Sequence, residues 1–154
     1  MKTLMLTILC MVSLNGVAGS LAVYEKRVKQ DLDAAYVSVY KALEDNGLYV
    51  VFEVDIGKNV ANFAKQWGED YNRNKLTGIK GMVVCSAWYV NQISNADPGM
   101  LALCPLHVTL IHKAGMTSIL FIRPSAVARG SNAEKIAGEL EDKIAKAIES
   151  AFGE

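Results

Sequence analysis

The chain has 154 residues, and its 16 lysines and arginines are balanced by 16 aspartates and glutamates. This length favours a single domain. The balanced charge excludes the strongly basic surface that nucleic acid or an anionic membrane would attract. Hydrophobic residues make up 51% of the chain, enough for a core.

Residues 1–20 have the pattern of a signal peptide. Lys2 supplies a positive start, an uncharged apolar run covers 3–14, and small residues lead up to a cleavage site after Ser20 or two residues earlier. The run is too short to span a bilayer. We therefore expect a periplasmic or secreted protein, with a single domain at 21–154, a net charge of −1 and no membrane span after cleavage.

Helix and strand patterns alternate in the first half of the mature chain. Apolar residues at steps of three and four predict a helix over about 25–45 that ends at Asn46-Gly47. Every even-numbered residue from 48 to 56 is apolar, which predicts a strand with that face against the helix. A second helix is predicted over 58–69, with a buried stripe formed by Val60, Phe63, Ala64 and Trp67.

The second half contains three further strand patterns and two helix patterns. Strands are predicted over 79–86, within 101–112 with Pro105 at the strand's start or on an edge, and over 117–123. The last two are joined by a hairpin turn at a glycine. A short helix at 88–96 ends at Asp-Pro-Gly, and a long helix follows a Ser-Asn-Ala-Glu capping box at 131.

This order predicts an α+β fold in two layers. The long helices should pack on a curved, mainly antiparallel, four-stranded sheet. Glu53 and Asp55 should share the other face of the first strand. A carboxylate pair is compatible with acid–base or metal chemistry, but we favour a solvated strand face.

Two cysteines and a histidine form the candidate site. Once the leader with Cys10 is removed, Cys85 and Cys104 remain, and export would permit a disulfide between them. Two buried free thiols are the alternative. His107 follows Cys104 by three residues, and thiolate with imidazole suits copper(I), zinc or haem iron.

Thr109 should share a strand face with His107, so Cys104, His107 and Thr109 are the candidate ligand-binding residues. Cys104, His107 and Cys85 are the alternative metal or haem ligands. A cysteine nucleophile activated by His107 is a third hypothesis, but no acidic residue in this stretch would orient the imidazole. The common phosphate-loop, zinc-protease and serine-hydrolase motifs are absent from the sequence.

From about Asp33 to Phe152 the chain resembles the DUF302 family, a domain of unknown function. The similarity lies in LEDNGL before YVVFEVDIGKNVANFAKQWG, in GMVVCSAWYVNQI, in NADPGMLALCPLHVTLI and in GMTSILFIRPSAVA. The stretch Leu103–His107 resembles the family's Leu-Pro-x-basic strand start, with Cys104 before the proline and His107 where arginine is frequent. The resemblance implies a compact α+β fold, often a homodimer, without an established enzymatic activity.

Exported members of that family look like small accessory proteins of the cell envelope, some near redox or sulfur metabolism. We therefore expect a non-enzymatic small-ligand-binding or accessory protein that requires no cofactor. Its expected partners are a second copy, a small ligand or an envelope redox protein. The alternative is a redox-linked protein that binds haem or a soft metal through Cys104 and His107, and a cysteine-dependent enzyme ranks third.

Overall fold

The computed structural model describes residues 21–153, so the predicted leader lies outside the described residues. Over this range the fold is α+β, with five antiparallel strands in one open sheet of order β1-β5-β4-β3-β2. The strands are β1 (Val23–Val28), β2 (Tyr49–Val54), β3 (Gly78–Cys85), β4 (Leu106–Lys113) and β5 (Met116–Ile122). The helices are α1 (Leu32–Asp45), α2 (Ile56–Ala61), α3 (Ala64–Trp67), α4 (Ala87–Ala96), α5 (Pro124–Val127) and α6 (Glu134–Ser150).

The two long helices cover one face of the sheet. α1 packs against α6 and against the central strands β3 and β4, while α4 packs against α6. Burial of their apolar sides against the sheet is the main favourable contribution to this packing. Among the helices of residues 21–153, none is long and apolar enough to cross a membrane. The largest fully buried side chains are Leu43, Leu48, Met82, Ile93, Leu110, Ile119, Leu140, Ile144 and Ile148.

The sheet has one strand more than the sequence predicted. β1 occupies Val23–Val28, where the predicted helix was thought to begin, and it pairs with β5. The helix starts only after Asp31, whose Oδ1 accepts hydrogen bonds of 3.0 Å from the backbone N–H groups of Asp33 and Ala34. The charged residues Glu25 and Arg27 on the exposed side of β1 interrupt the alternation of apolar and polar residues that would have predicted a strand.

The predicted helix over 58–69 was also wrong in part. The segment forms two short helices, α2 and α3, followed by a 3₁₀ turn at Gly68–Asp70. Phe63 and Trp67 were expected to be buried, but they are exposed and stack on each other with ring centroids 5.1 Å apart. Neither α2 nor α3 has a buried residue.

A β-bulge in β2 reverses the predicted faces of the residues that follow Val50. Val50 pairs with Val84, but Phe52 pairs with Val83, so one residue of β2 is unmatched. A bulge of this kind changes which way the following side chains point. Leu48 and Val50 contribute to the core as predicted, whereas Phe52 is 61% exposed.

The second half of the chain follows the prediction closely. The β4–β5 turn has positive φ at Ala114 and Gly115, the conformation that two-residue hairpins favour. Asp97, after α4, accepts hydrogen bonds from Gly99 N–H at 3.0 Å and from the Ser131 hydroxyl at 2.6 Å. The Asp97-Pro98 motif therefore connects the start of a 3₁₀ turn to the segment before α6.

Glu141 on α6 joins that helix to the end of β5. Its Oε1 accepts a hydrogen bond of 2.5 Å from Arg123, and its Oε2 accepts hydrogen bonds from the Ser125 hydroxyl and backbone N–H. Glu141 is only 8% exposed. Burial by itself raises the pKa of this carboxyl, but the hydrogen bonds from Ser125 and Arg123 outweigh it and lower the pKa.

We expect Glu141→Gln to destabilise the fold by about 2 kcal/mol at neutral pH, because two partly buried donors lose a charged acceptor. The pKa of Glu141 is lower in the folded than in the unfolded chain. Its contribution is therefore complete above the ordinary value of 4.5 and is lost as the pH falls through the folded-state pKa. Urea unfolding of both proteins across this pH range should show the difference shrinking with acid; a constant difference would contradict this assignment.

Candidate functional site

A cleft of about 730 Å³ opens at one end of the sheet. Its walls are the start of α1, the helix α2, the loop before β3 and the first residues of β3, and His112 of β4 also lines it. Clefts in this size range commonly hold small molecules. The cleft is therefore the candidate site, and it lies apart from the cysteines that the sequence singled out.

Asp55 and Lys58 form the α2 wall of the cleft. The Asp55 carboxylate caps α2, because its Oδ1 accepts a hydrogen bond of 2.9 Å from the backbone N–H of Lys58. The Lys58 ammonium lies 3.3 Å from Asp55 Oδ2. The backbone hydrogen bond, with smaller effects from Lys58 and Lys80, lowers the pKa of Asp55. Asp55 was predicted to be a strand residue beside Glu53 and is instead a helix cap.

The Lys80 side chain extends from β3 to α1 and lines both the cleft and a second, smaller recess. Its ammonium donates a hydrogen bond of 2.6 Å to Asp33 Oδ1 and lies 5.1 Å from the centre of the Tyr36 ring. The Tyr36 hydroxyl donates a hydrogen bond of 2.6 Å to Glu53 Oε2. Burial first, and the bond to Glu53 second, raise the pKa of Tyr36 far above its ordinary value.

The bulge in β2 is what brings Glu53 to this side of the sheet. In register Glu53 pairs with Met82, a buried core residue, so Glu53 is on the helix side and reaches Tyr36. The predicted solvated pair of Glu53 and Asp55 is thus wrong. A second recess of about 280 Å³ adjoins the cleft here and shares Asp55, Lys58 and Lys80 with it.

His112 lies at the opposite wall and is held by a buried threonine. Its Nδ1 is 2.8 Å from the hydroxyl of Thr117, which is fully buried. The same hydroxyl donates a hydrogen bond of 2.8 Å to the carbonyl of Gln30, the residue before Asp31. These two bonds fix the His112 ring close to the start of α1.

The two cysteines of the predicted site do come together. Cys85 ends β3, and Cys104 packs against the core just before β4. Burial raises the pKa of the Cys104 thiol, and the neighbouring Cys85 thiol adds to the shift. Both are free thiols in the structure. A disulfide between them stays a prediction.

His107 and Thr109 lie on the open face of the sheet, which Cys85 shares, because Cys85 follows Val83 by two residues on β3. They pair with Val83 and Gly81 of β3, so they are on the sheet face that points away from α1 and α6, and His107 is exposed there. Cys104 contacts the core on the helix side. The structure therefore does not gather Cys104, His107 and Thr109 into one cavity among the three recesses it shows most clearly.

A metal site built on Cys85, Cys104 and His107 gains no support from this arrangement. Within residues 21–153, no group of three or more His, Cys, Asp or Glu side chains is placed to hold a metal ion. Structural and catalytic metal sites usually need three or four protein ligands. The haem and copper alternative stays a prediction that the geometry does not favour.

Of the residues that line the cleft, the sequence pointed to Asp55 as one of a possible carboxylate pair, and it did not point to Asp31, Lys80 or His112 as site residues. Asp31 carried a signal, because an aspartate directly before an apolar helical pattern is a typical N-cap. Lys80 and His112 carried none, since each looks like an ordinary strand residue. Only the pairing of β3 with β4 and the position of α1 bring them to one cleft.

Comparison with known proteins gives a family and a fold. The pattern that defines DUF302, "Domain of unknown function DUF302", matches residues 24–151. A similar solved structure is the crystal structure of the uncharacterized conserved protein DUF302 from Bacillus stearothermophilus. It is 16% identical with a TM-score of 0.73, and the match covers 86% of this chain and 99% of that one. No curated protein matches the chain. The chain belongs to the DUF302 family, as its sequence motifs indicated.

Proposed function

We propose that this protein is an exported, non-enzymatic domain that binds a small molecule in the cleft between α1 and α2. The observation that carries the proposal is the cleft itself, whose volume of about 730 Å³ suits a small ligand. Apolar residues line it beside the charged ones, among them Leu32 and Leu76. A cleft of this mixed character can bury the body of a ligand and orient its polar groups.

The charged groups of the cleft support binding rather than catalysis. Lys58 is paired with Asp55, Lys80 with Asp33, and Arg73 with Asp70. Asp31 and Asp55 also cap helices. Groups held in caps and ion pairs orient a ligand well, but they leave no activated nucleophile next to a base.

We expect ligand-observed NMR with a library of small polar fragments to find molecules that bind the protein. Ala61→Trp should abolish this binding, because Ala61 is an exposed residue of the cleft wall and an indole there would fill the space. Val37→Trp is the matched control, since Val37 is 67% exposed on α1 and does not line the cleft. Binding that survives Ala61→Trp, or a library without a single hit, would contradict the proposal.

Export is part of the proposal and is supported by the leader pattern of residues 1–20. A signal peptidase would release a chain that starts near Leu21, just before β1. N-terminal sequencing of the protein from its producing cell should find this start in the periplasmic or secreted fraction. A chain that retains Met1 in the cytoplasm would contradict it.

We further propose that the protein is a homodimer that pairs through the open face of the sheet. The β-register aligns Phe52, Val83 and His107 across β2, β3 and β4, and Ile122 and Val23 continue this row on β5 and β1. Four of these five residues are apolar, and Phe52 and Ile122 are 61% and 60% exposed. An apolar row across a whole sheet is typical of a protein–protein interface, and a second copy would meet it with an identical row.

Charge on this row should dissociate the dimer. We expect Phe52→Glu and Ile122→Glu each to shift the protein from dimer to monomer in sedimentation velocity, because a carboxylate in an apolar interface loses its hydration. Val37→Glu, an equal change on the helix layer, should leave the dimer intact. A wild-type monomer at high protein concentration, or dimers unaffected by both changes, would contradict the assignment.

A further inference from the structure

The hydrogen bonds around Thr117 determine which nitrogen of His112 carries its proton. The Thr117 hydroxyl has one hydrogen, and it donates that hydrogen to the carbonyl of Gln30 at 2.8 Å. Its oxygen must therefore accept at the 2.8 Å contact with His112 Nδ1. In the neutral ring Nδ1 then carries the hydrogen, and Nε2 keeps a free lone pair.

His112 Nε2 has no protein partner among residues 21–153, and the ring lines the cleft. The tautomer is notable because free histidine in water prefers its proton on Nε2. The buried Thr117 thus holds His112 as a hydrogen-bond acceptor at the cleft wall. A ligand that meets this nitrogen must bring an N–H or O–H donor.

Asp31 supplies a second acceptor at the same end of the cleft. Asp31 directly follows Gln30, whose carbonyl accepts a hydrogen bond from the Thr117 hydroxyl. The same hydroxyl bonds to His112 Nδ1, so Thr117 connects the start of α1 to the His112 ring. Asp31 Oδ1 accepts the two cap bonds of α1, which fixes the side chain and leaves Oδ2 without a hydrogen-bond partner in the described chain. Every other charged side chain of Asp, Lys or Arg type that lines the cleft has an ion-pair partner, and Asp31 has none within residues 21–153.

We propose that the cleft recognises a small molecule with an ammonium group on an apolar body, and that Asp31 Oδ2 and His112 Nε2 accept the ammonium hydrogens. An ammonium has three donors and no acceptor, which matches two acceptors and one unpaired negative charge. Leu32 and Leu76 would contact the apolar body. This inference rests on the proposed function, because it names the chemical class of the ligand for the same cleft.

The tautomer can be tested without any ligand. Two-dimensional ¹H–¹⁵N NMR of the imidazole nitrogens at alkaline pH should find the His112 proton on Nδ1. Thr117→Val keeps the shape of the side chain but removes the hydroxyl. In this variant a substantial fraction of the neutral His112 rings should carry the proton on Nε2. A wild-type ring protonated on Nε2 would overturn the proposal, since that nitrogen would then donate.

The ligand class can be tested with three compounds of similar shape. NMR titrations would use phenethylamine, 2-phenylethanol and 3-phenylpropanoate, which carry positive, neutral and negative groups. We expect the amine to bind about tenfold more tightly than the alcohol, because a charge-assisted hydrogen bond contributes that much. The carboxylate should bind most weakly.

Asp31→Asn is the most informative variant, because asparagine also caps helices well and the fold is retained. It should weaken amine binding about tenfold, since an amide NH2 donor replaces the charged Oδ2 acceptor. Alcohol binding should stay within about twofold, because a hydroxyl can accept from that NH2 as well as donate. Asp45→Asn is the matched control: it removes the same charge from the other end of α1 and should change neither affinity. His112→Asn keeps a donor toward Thr117 but removes the Nε2 acceptor, and it should also weaken the amine.

The outcomes separate this inference from the proposed function. Suppose that fragments bind and Ala61→Trp abolishes their binding, but the amine is not preferred or Asp31→Asn has no effect. This result would overturn the ammonium assignment and leave the binding function standing. A cleft that binds neither fragments nor amine would overturn both. Amine binding that is lost in Ala61→Trp and weakened in Asp31→Asn would support both.

Discussion

The structure depends on one constraint, which is that its helices cover only one face of the sheet. α1 and α6 bury the side chains of one face, and no helix of the described chain covers the row through Phe52, Val83 and His107 on the other. A sheet that is buried on both faces would have needed apolar residues at every strand position. The two faces therefore differ: one carries the core, and the other carries exposed apolar side chains such as Phe52 and Ile122.

The cleft forms where this packing ends. Past the bulge in β2, the chain leaves the sheet at Asp55 and turns into α2, so the polar residues Glu53, Tyr36 and Lys80 meet at the edge of the core. Their bonds satisfy groups that burial would otherwise penalise. Thr117 acts similarly at the opposite wall, because its buried hydroxyl bonds both the turn before α1 and the His112 ring. Hydrogen bonds within the described chain thus hold both walls of the cleft.

Much of the fold could be predicted from local pattern, and the exceptions have physical causes. The apolar stripe of α6, the glycine turn at Gly115 and the stop at Asp97-Pro98 are local signals, and the structure follows them. β1 was missed because Glu25 and Arg27 interrupt its apolar pattern, and their mutual ion pair lies on the open face. The faces after Val50 were assigned wrongly because no residue type marks the bulge. Cys85 and Cys104 were expected near one another and are, but Cys85 is on the open sheet face with His107, whereas Cys104 packs against the core.

By itself, the sequence determined the α+β class, the family and most element boundaries, because these follow from the spacing of apolar residues and from turn chemistry along the chain. Only the tertiary structure decided which polar residues share a cleft. Asp31, Lys80 and His112 are far apart in sequence, and strand pairing with the placement of α1 brings them together. Such a site leaves no periodic signal, since each of its residues also fits the local pattern of the helix or strand that carries it.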